Sequence, residues 1–217
     1  MEPSLGVPWQ SQRRAGMLAI AGGAVVALVL WLAIRNYAPA PSGAEDSTAR
    51  LIFALKCGAL AVLFALVPGV EAVAHERLVS PAFDPLAAYQ SRRLAVNQRY
   101  LQNTLEQTVV FLVGLLGLAI YSPGEAIRAV TASAAVWVMF RWAFWAGYHK
   151  SAAMRGLGAP SMFLGLLMLL YVGFQVGRDV AGDPGGWAVV GAFLAFEALL
   201  FWGTRPSGAA ALPPNAP

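Results

Sequence analysis

The sequence is poor in charged residues and has almost no cysteine. Asp, Glu, Lys and Arg make up 12% of its 217 residues, whereas soluble domains carry about 25%. So little charge cannot cover a water-soluble surface, which excludes soluble enzymes and disordered chains. The single cysteine, Cys57, cannot form an internal disulfide, which excludes a disulfide-stabilised secreted scaffold. Together with His75 and His149 it makes no cluster at a zinc-ligand spacing, so we predict no metal site.

Long apolar runs dominate the chain instead. Hydrophobic residues make up 58% of it, and the mean hydropathy is +0.60. Six apolar runs lie at about 15–35, 49–74, 101–121, 126–148, 159–177 and 185–203. A helix of about 20 residues crosses a hydrocarbon core of roughly 30 Å, and backbone groups in lipid must be hydrogen-bonded within the spanning segment. The sequence therefore predicts an all-α integral membrane protein.

The first run has to be distinguished from a signal peptide. Arg13-Arg14 precedes it, and Ala38-Pro39-Ala40 resembles a cleavage site. Its apolar stretch of about 20 residues exceeds the roughly 7–15 residues of a signal-peptide core, so we expect a retained membrane helix. At the other end, the Pro- and Ala-rich residues 206–217 are expected to be disordered.

Basic residues are distributed unequally between the two sides of the membrane. With a cytoplasmic N-terminus, nine basic residues fall on the cytoplasmic side and four on the other side. The nine are Arg13, Arg14, Arg77, Arg92, Arg93, Arg99, Lys150, Arg155 and Arg205, and the four are Arg35, Arg50, Arg128 and Arg178. The positive-inside rule then predicts that both termini are cytoplasmic, and we expect the membrane to be the inner or plasma membrane of a bacterium. Basic loops beside anionic lipid explain the isoelectric point of about 9.6 without a nucleic-acid partner.

Polar residues form one stripe on each of two neighbouring spans. Arg99, Asn103 and Glu106 are spaced by four and three residues, and Arg141, Tyr148 and Arg155 recur every seven residues. Both spacings place side chains on one face of a helix, the second one if the helix continues past Tyr148. Glu106 lies about 10 Å along the axis from Arg99. Because Arg141 lies at about the same depth on an antiparallel neighbour, we predict an ion pair between Glu106 and Arg141.

These residues allow a structural and a functional interpretation. An ion pair between Glu106 and Arg141 would neutralise two buried charges, Asn103 would bond between helices, and Arg99 and Arg155 would anchor in the headgroups. However, several cations converge with an amide and a phenol near one interface. Such a cluster favours a small anionic ligand with several carboxylates.

The two stripes match a known family. Arg99-Tyr-Leu-Gln-Asn103-Thr-Leu-Glu106 followed by Phe111, then Arg141 through Gly147-Tyr148-His-Lys-Ser-Ala-Ala-Met-Arg155, resembles the MAPEG family, the membrane-associated proteins in eicosanoid and glutathione metabolism. The resemblance covers about residues 50–178, or four of the six runs. It implies a MAPEG-like four-helix bundle within 49–178, with one extra transmembrane helix in 1–48 and another in 179–217, where the disordered tail also lies.

The resemblance also implies a homotrimer with glutathione as co-substrate, bound between neighbouring subunits at the cytoplasmic face. The residues that match glutathione-binding positions of the family are Arg99, Asn103, Glu106, Arg141 and Tyr148. Arg155 matches the arginine thought to activate the glutathione thiol, and it is the expected catalytic residue. Val109, Gln107 and Phe144 depart from the usual family residues, and some family members bind lipid without catalysis.

Three functions are compatible with these observations. The first is a glutathione-dependent enzyme that conjugates the thiol to a hydrophobic electrophile or reduces lipid hydroperoxides. The second is a non-catalytic protein of the same fold that binds membrane lipid or serves as a scaffold. The third is a small transporter. Against transport, the sequence has no internal repeat and no pair of broken helices, and its polar residues crowd one side of the membrane.

Overall fold

A computed structural model describes residues 9–84 and 86–204, and the regular elements in these ranges are all helices. The α-helices are α1 Trp9–Tyr37, α2 Ser47–Ala61, α3 Val67–Leu78, α4 Arg92–Ile120, α5 Arg128–Lys150 and α6 Ala159–Gly203. Short 3-10 turns at Pro81–Phe83, Gly124–Ile127 and Met154–Gly158 precede α4, α5 and α6. The all-α prediction is thus confirmed. The predicted disordered tail, 206–217, lies outside the described residues.

Within residues 9–84 and 86–204, five helical segments are long and apolar enough to cross a membrane. They are Gln10–Tyr37, Ser47–Leu78, Arg92–Ile120, Gly124–Lys150 and Met154–Gly203. This confirms an integral membrane protein with a helical bundle. The count differs from the six predicted runs because α6 contains both of the last two.

The division within α6 lies at Ala181 and Gly182, between the predicted apolar runs 159–177 and 185–203. The backbone leaves the helical region at Ala181 and at Gly182, where φ is 66°. Glycine adopts a positive φ without a side-chain clash. Pro184 then falls in the first turn of the following helical stretch, where its missing N–H costs no hydrogen bond. The reversal is therefore made by Gly182, with the proline just after it.

One π-helical turn, Val62–Leu66, joins α2 to α3 within the second span. Pro68 has no N–H, so the carbonyl of Phe64, four residues earlier, loses its helical partner. The indole N–H of Trp142 donates to this carbonyl at 2.7 Å, and the hydroxyl of Tyr100 donates to the carbonyl of Ala65 at 2.6 Å. Because backbone groups must be paired inside the membrane, these two bonds fix α4 and α5 in register with the second span.

The chain forms two compact units that divide between Leu169 and Leu170. In the first unit, the ring of Phe111 stacks on that of Trp137 at 4.3 Å between centroids, in the core that α2, α4 and α5 share. Buried Arg50 donates from Nε to the carbonyl of Ala119 at 3.1 Å and caps the end of α4.

Helix α1 packs along α5 in the same unit. Ala27 is buried against Val136 and Phe140 of α5. The indole N–H of Trp31 donates to the hydroxyl of Ser133 at 3.0 Å. The predicted first helix is therefore attached to the bundle by both apolar packing and a hydrogen bond.

The second unit contains a tight helical reversal. The rings of Phe174 and Trp187 meet edge to face at 5.1 Å, and Arg178 pairs with Asp183 at 3.1 Å. Gly177 lies directly against the backbone of Gly185. Small residues at this contact let the helical segments before and after Gly182 approach closely, as is common between helices in membranes.

Candidate functional site

The start of α4 and the end of α5 lie side by side. The guanidinium of Arg92 donates to the carbonyl of His149 at 3.0 Å. The side-chain oxygen of Asn97 accepts from the indole N–H of Trp145 at 3.0 Å and lies 3.1 Å from Nε2 of His149. These contacts set the register that brings the two polar stripes to one end of the bundle.

Arg141 is enclosed between the two helices. Its side chain is 1% exposed. One terminal nitrogen donates to Oδ1 of Asn103 at 3.0 Å and to Oγ1 of Thr104 at 2.7 Å. The guanidinium also lies 4.6 Å from the ring centre of Phe144 and 5.5 Å from that of Tyr100. Amide, hydroxyl and aromatic faces together stabilise a buried cation.

The predicted ion pair between Glu106 and Arg141 is wrong. Glu106 is exposed and accepts a hydrogen bond from Gln102 at 3.3 Å. Arg141 does lie at about the depth of Glu106 along α4, because it bonds to residues only two and three positions from Glu106. The direction of Glu106 differs from the prediction, because Thr104 and Glu106 are separated by about 200° around the helix. Since α5 packs on the Thr104 side, a hydroxyl takes the place that was predicted for the carboxylate.

Asn103 connects the buried cation to the surface. It is partly buried, and its side-chain oxygen accepts from Arg141. A guanidinium can only donate, so it fixes the amide with the oxygen facing inward. The amide nitrogen therefore points away from Arg141 and is available as a donor at the helix surface.

The helix does not continue to Arg155: α5 ends at Lys150, and Arg155 lies in the 3-10 turn Met154–Gly158, so it is not part of a continuous α5 stripe. The turn nevertheless brings Arg155 back to Tyr148 near the end of α5. The guanidinium of Arg155 lies 5.6 Å from the ring centre of Tyr148, and the rings of Tyr148 and Phe144 are 5.7 Å apart. Through Phe144 this pair is continuous with Arg141. The structure thus assembles Asn103, Arg141, Tyr148 and Arg155 into one connected series.

Arg99 and Glu106 lie outside that series. Both are exposed on α4, on the side that carries Gln102. Arg99, Lys150 and Arg155 have no carboxylate within ion-pair distance in the ranges 9–84 and 86–204. This end of the bundle therefore carries unneutralised positive charge, which is suited to an anionic ligand.

Three residues that build the site were not predicted from the sequence, and a fourth, Phe144, was noted only as a departure from the usual family residues. Asn97, Tyr100 and Thr104 recur at helical spacing on the buried face of α4, and Phe144 joins Arg141 of α5 to Tyr148, which Arg155 contacts. The periodicity of the first three could have indicated a second polar face beside the ionisable stripe. Nothing in the sequence marks Phe144 as the connection.

The described residues contain no group of three His, Cys, Asp or Glu side chains that could hold a metal ion. A cavity of about 370 Å³ lies beside the connector between α3 and α4, with Arg77, Tyr89 and Gln98 in its wall. None of the six candidate residues lines this cavity.

Comparison with known proteins agrees with the fold. The model of the MAPEG family matches residues 51–175. Transmembrane protein 79 of Bos taurus is 26% identical over 165 residues, which cover 74% of this chain and 41% of that protein. The chain thus spans about two fifths of the length of this curated relative. No solved structure matches the chain.

Proposed function

Because the chain belongs to the MAPEG family, we propose that it is a glutathione-dependent membrane enzyme, which conjugates the glutathione thiol to a hydrophobic electrophile or reduces lipid hydroperoxides. The family includes glutathione transferases and also non-catalytic members. Membership alone therefore does not decide the activity, and the arrangement of the candidate residues has to carry the proposal.

The proposed enzyme activity rests on the contact between Arg155 and Tyr148. The guanidinium lies 5.6 Å from the phenol ring and has no carboxylate partner in the described part of the chain. A thiol has an ordinary pKa of about 8.5, and a nearby guanidinium lowers it by favouring the thiolate. Arginine suits this role because it stays protonated and offers a planar set of donors.

Conjugation needs only the thiolate and the substrate, whereas peroxide reduction also consumes a second glutathione. In conjugation, the sulfur attacks an electrophilic carbon, a C–S bond forms, and the leaving group departs or the adduct takes up a proton. In peroxide reduction, the sulfur attacks the terminal oxygen, the O–O bond breaks, and the sulfur becomes a sulfenic acid. The released alkoxide takes up the proton that the thiol lost and leaves as the lipid alcohol. A second glutathione then converts the sulfenic acid to glutathione disulfide and water.

The α4 stripe provides complementary binding groups. Arg99 and the amide nitrogen of Asn103 are donors for glutathione carboxylates, and Glu106 is an acceptor for its ammonium group. Arg141 is too buried to reach a ligand at the surface of the chain. We assign it to holding Asn103 rather than to direct contact.

The exposure of Arg99 and Glu106 supports a homotrimer with glutathione between subunits. Charged side chains on the lipid face of a span are costly, and a neighbouring copy would remove them from lipid. We expect a trimer in native mass spectrometry from detergent, with the site at the cytoplasmic face. Monomers alone would contradict this arrangement.

Glutathione binding to the purified protein tests the proposal. We expect saturable binding with a thiolate absorbance in the wild type, and binding without that absorbance in Arg155→Ala. Arg77→Ala is the matched control, because Arg77 is also exposed and belongs to the same predicted membrane side. Wild-type binding without thiolate would favour the non-catalytic alternative, and absence of binding would remove both glutathione-based functions.

A further inference from the structure

Helix α1 lies before the family-matched region, which begins at residue 51, yet it packs on the turn that carries Arg155. A Cβ added at Gly23 would lie 2.7 Å from the carbonyl oxygen of Leu157 and 3.3 Å from Cγ of Pro160. A Cβ added at Gly156 would lie 2.8 Å from the carbonyl oxygen of Gly16. Only glycines permit this approach between α1 and the turn.

The same turn is held from its other side by α5. Gly147 lies directly against the backbone of Met154, and Gly158 lies directly against Phe144. Arg155 follows Met154 in the chain, so the residues around it are in contact with α1 on one side and with α5 on the other. Movement of α1 would therefore leave the turn supported on one side only.

The second half of α1 is fixed independently of the turn. Its Trp31 bonds to Ser133, and its Ala27 is buried against Phe140 of α5. The first half, residues 16–23, meets residues 153–160. One end of the helix thus anchors it to α5, and the other end contacts the turn.

We propose that α1 is a brace, made by Gly16 and Gly23 against residues 153–160, which sets the position of the Arg155 guanidinium over Tyr148. Gly23 and Gly156 are then positioning residues for Arg155. The chemical consequence of the brace rests on the proposed function, in which Arg155 activates the glutathione thiol. The brace itself is a property of the fold.

Two adjacent glycines provide the test. Gly23 meets Leu157, whereas a Cβ at Gly22 would have no atom within 4 Å. Gly23→Leu and Gly22→Leu therefore make the same chemical change on the same helix, and only the first displaces the turn. We compare kcat, KM for glutathione and the pH titration of the bound thiol in both variants.

We expect the thiol pKa in Gly23→Leu to rise by about one unit, which lowers the thiolate fraction about tenfold at a given pH below it. The value of kcat should fall by about the same factor, while KM for glutathione stays within a few-fold. Gly22→Leu should match the wild type. A wild-type thiol titration in Gly23→Leu would overturn the brace, and so would equal effects of the two variants.

A second measurement does not depend on glutathione. Amide hydrogen exchange of residues 151–158 should be faster in Gly23→Leu than in Gly22→Leu, and equal exchange would overturn the brace. Where Gly23→Leu does not fold, Gly23→Ala introduces the same close Cβ contact with a smaller side chain. If wild-type protein does not bind glutathione, the proposed function fails, and the exchange comparison still decides the brace.

Discussion

Replacement of Asn103 by aspartate should move stability and glutathione affinity in opposite directions. The side-chain oxygen of Asn103 lies 3.0 Å from a guanidinium nitrogen of Arg141, which has no ion-pair partner among the described residues. Asn103→Asp keeps the shape of the side chain, supplies that partner and removes the outward N–H donors.

The magnitude of the stability change follows from two opposing terms. Opposite charges about 4 Å apart attract by about 4 kcal/mol at an effective dielectric of about 20. Desolvation of the new carboxylate offsets part of this gain. Because Asn103 is only partly buried, we expect a net stabilisation of about 1–2 kcal/mol.

The affinity should fall because the outward group becomes an acceptor. A lost hydrogen bond to a charged group costs about 1.5–3 kcal/mol, which corresponds to a Kd for glutathione higher by about 10- to 150-fold. Thermal unfolding in detergent and calorimetric titration measure the two effects. Gln102→Glu is the control, because it adds the same charge one residue away without facing Arg141. Since it replaces a hydrogen bond to Glu106 by like-charge repulsion, it should lower stability rather than raise it.

Two results would refute this reasoning. Destabilisation by Asn103→Asp would mean that the guanidinium does not face the side chain of residue 103. Unchanged glutathione affinity would mean that the amide nitrogen does not contact the ligand. The stabilisation should also disappear in an Arg141→Met background, where the new carboxylate has no cation.

Three further changes test the geometry around the site. Thr104→Val removes the 2.7 Å bond to Arg141 and should lower the free energy of unfolding by about 1.5–3 kcal/mol; Thr108→Val, which loses only a bond to its own helix, should cost less in the same unfolding assay. Glu106→Gln should change the free energy of unfolding by less than about 0.5 kcal/mol, because the Glu106 side chain is exposed. A larger loss would mean that Glu106 is buried and paired after all. A cysteine at Gln90 in a cysteine-free background should resist labelling from outside intact cells, and strong labelling would reverse the predicted orientation.

Hydrophobicity and length were sufficient to predict the fold class. An apolar run long enough to cross the membrane must form a helix wherever it lies, so the segments from α1 to α6 follow from composition alone. The exact position of the break between the last two runs, at Gly182, does not follow from composition, because it depends on one backbone conformation. The π-helical turn before Pro68 was not foreseen, since it depends on Trp142 and Tyr100 reaching the backbone from other helices.

The candidate site was predictable in depth but not in direction. Counting residues placed Arg141 at about the level of Glu106, and in the structure Arg141 bonds to Asn103, three residues from Glu106. Which of them faces Arg141 depends on how α4 is rotated against α5, and that rotation is set by packing of Tyr100 and Trp145, whose rings stack at 4.6 Å. Ionisable residues drew attention to the exposed stripe, while the buried cation is held by Thr104, a neutral side chain.

The most direct test of thiol activation is a pH titration of glutathione bound to the wild-type protein, followed by its thiolate absorbance. With the Arg155 guanidinium beside the sulfur, the bound thiol should have a pKa clearly below the value of about 8.5 that an ordinary thiol has. The same titration in Arg155→Ala should return toward that value. A wild-type titration that coincides with free glutathione would contradict an activating role for Arg155.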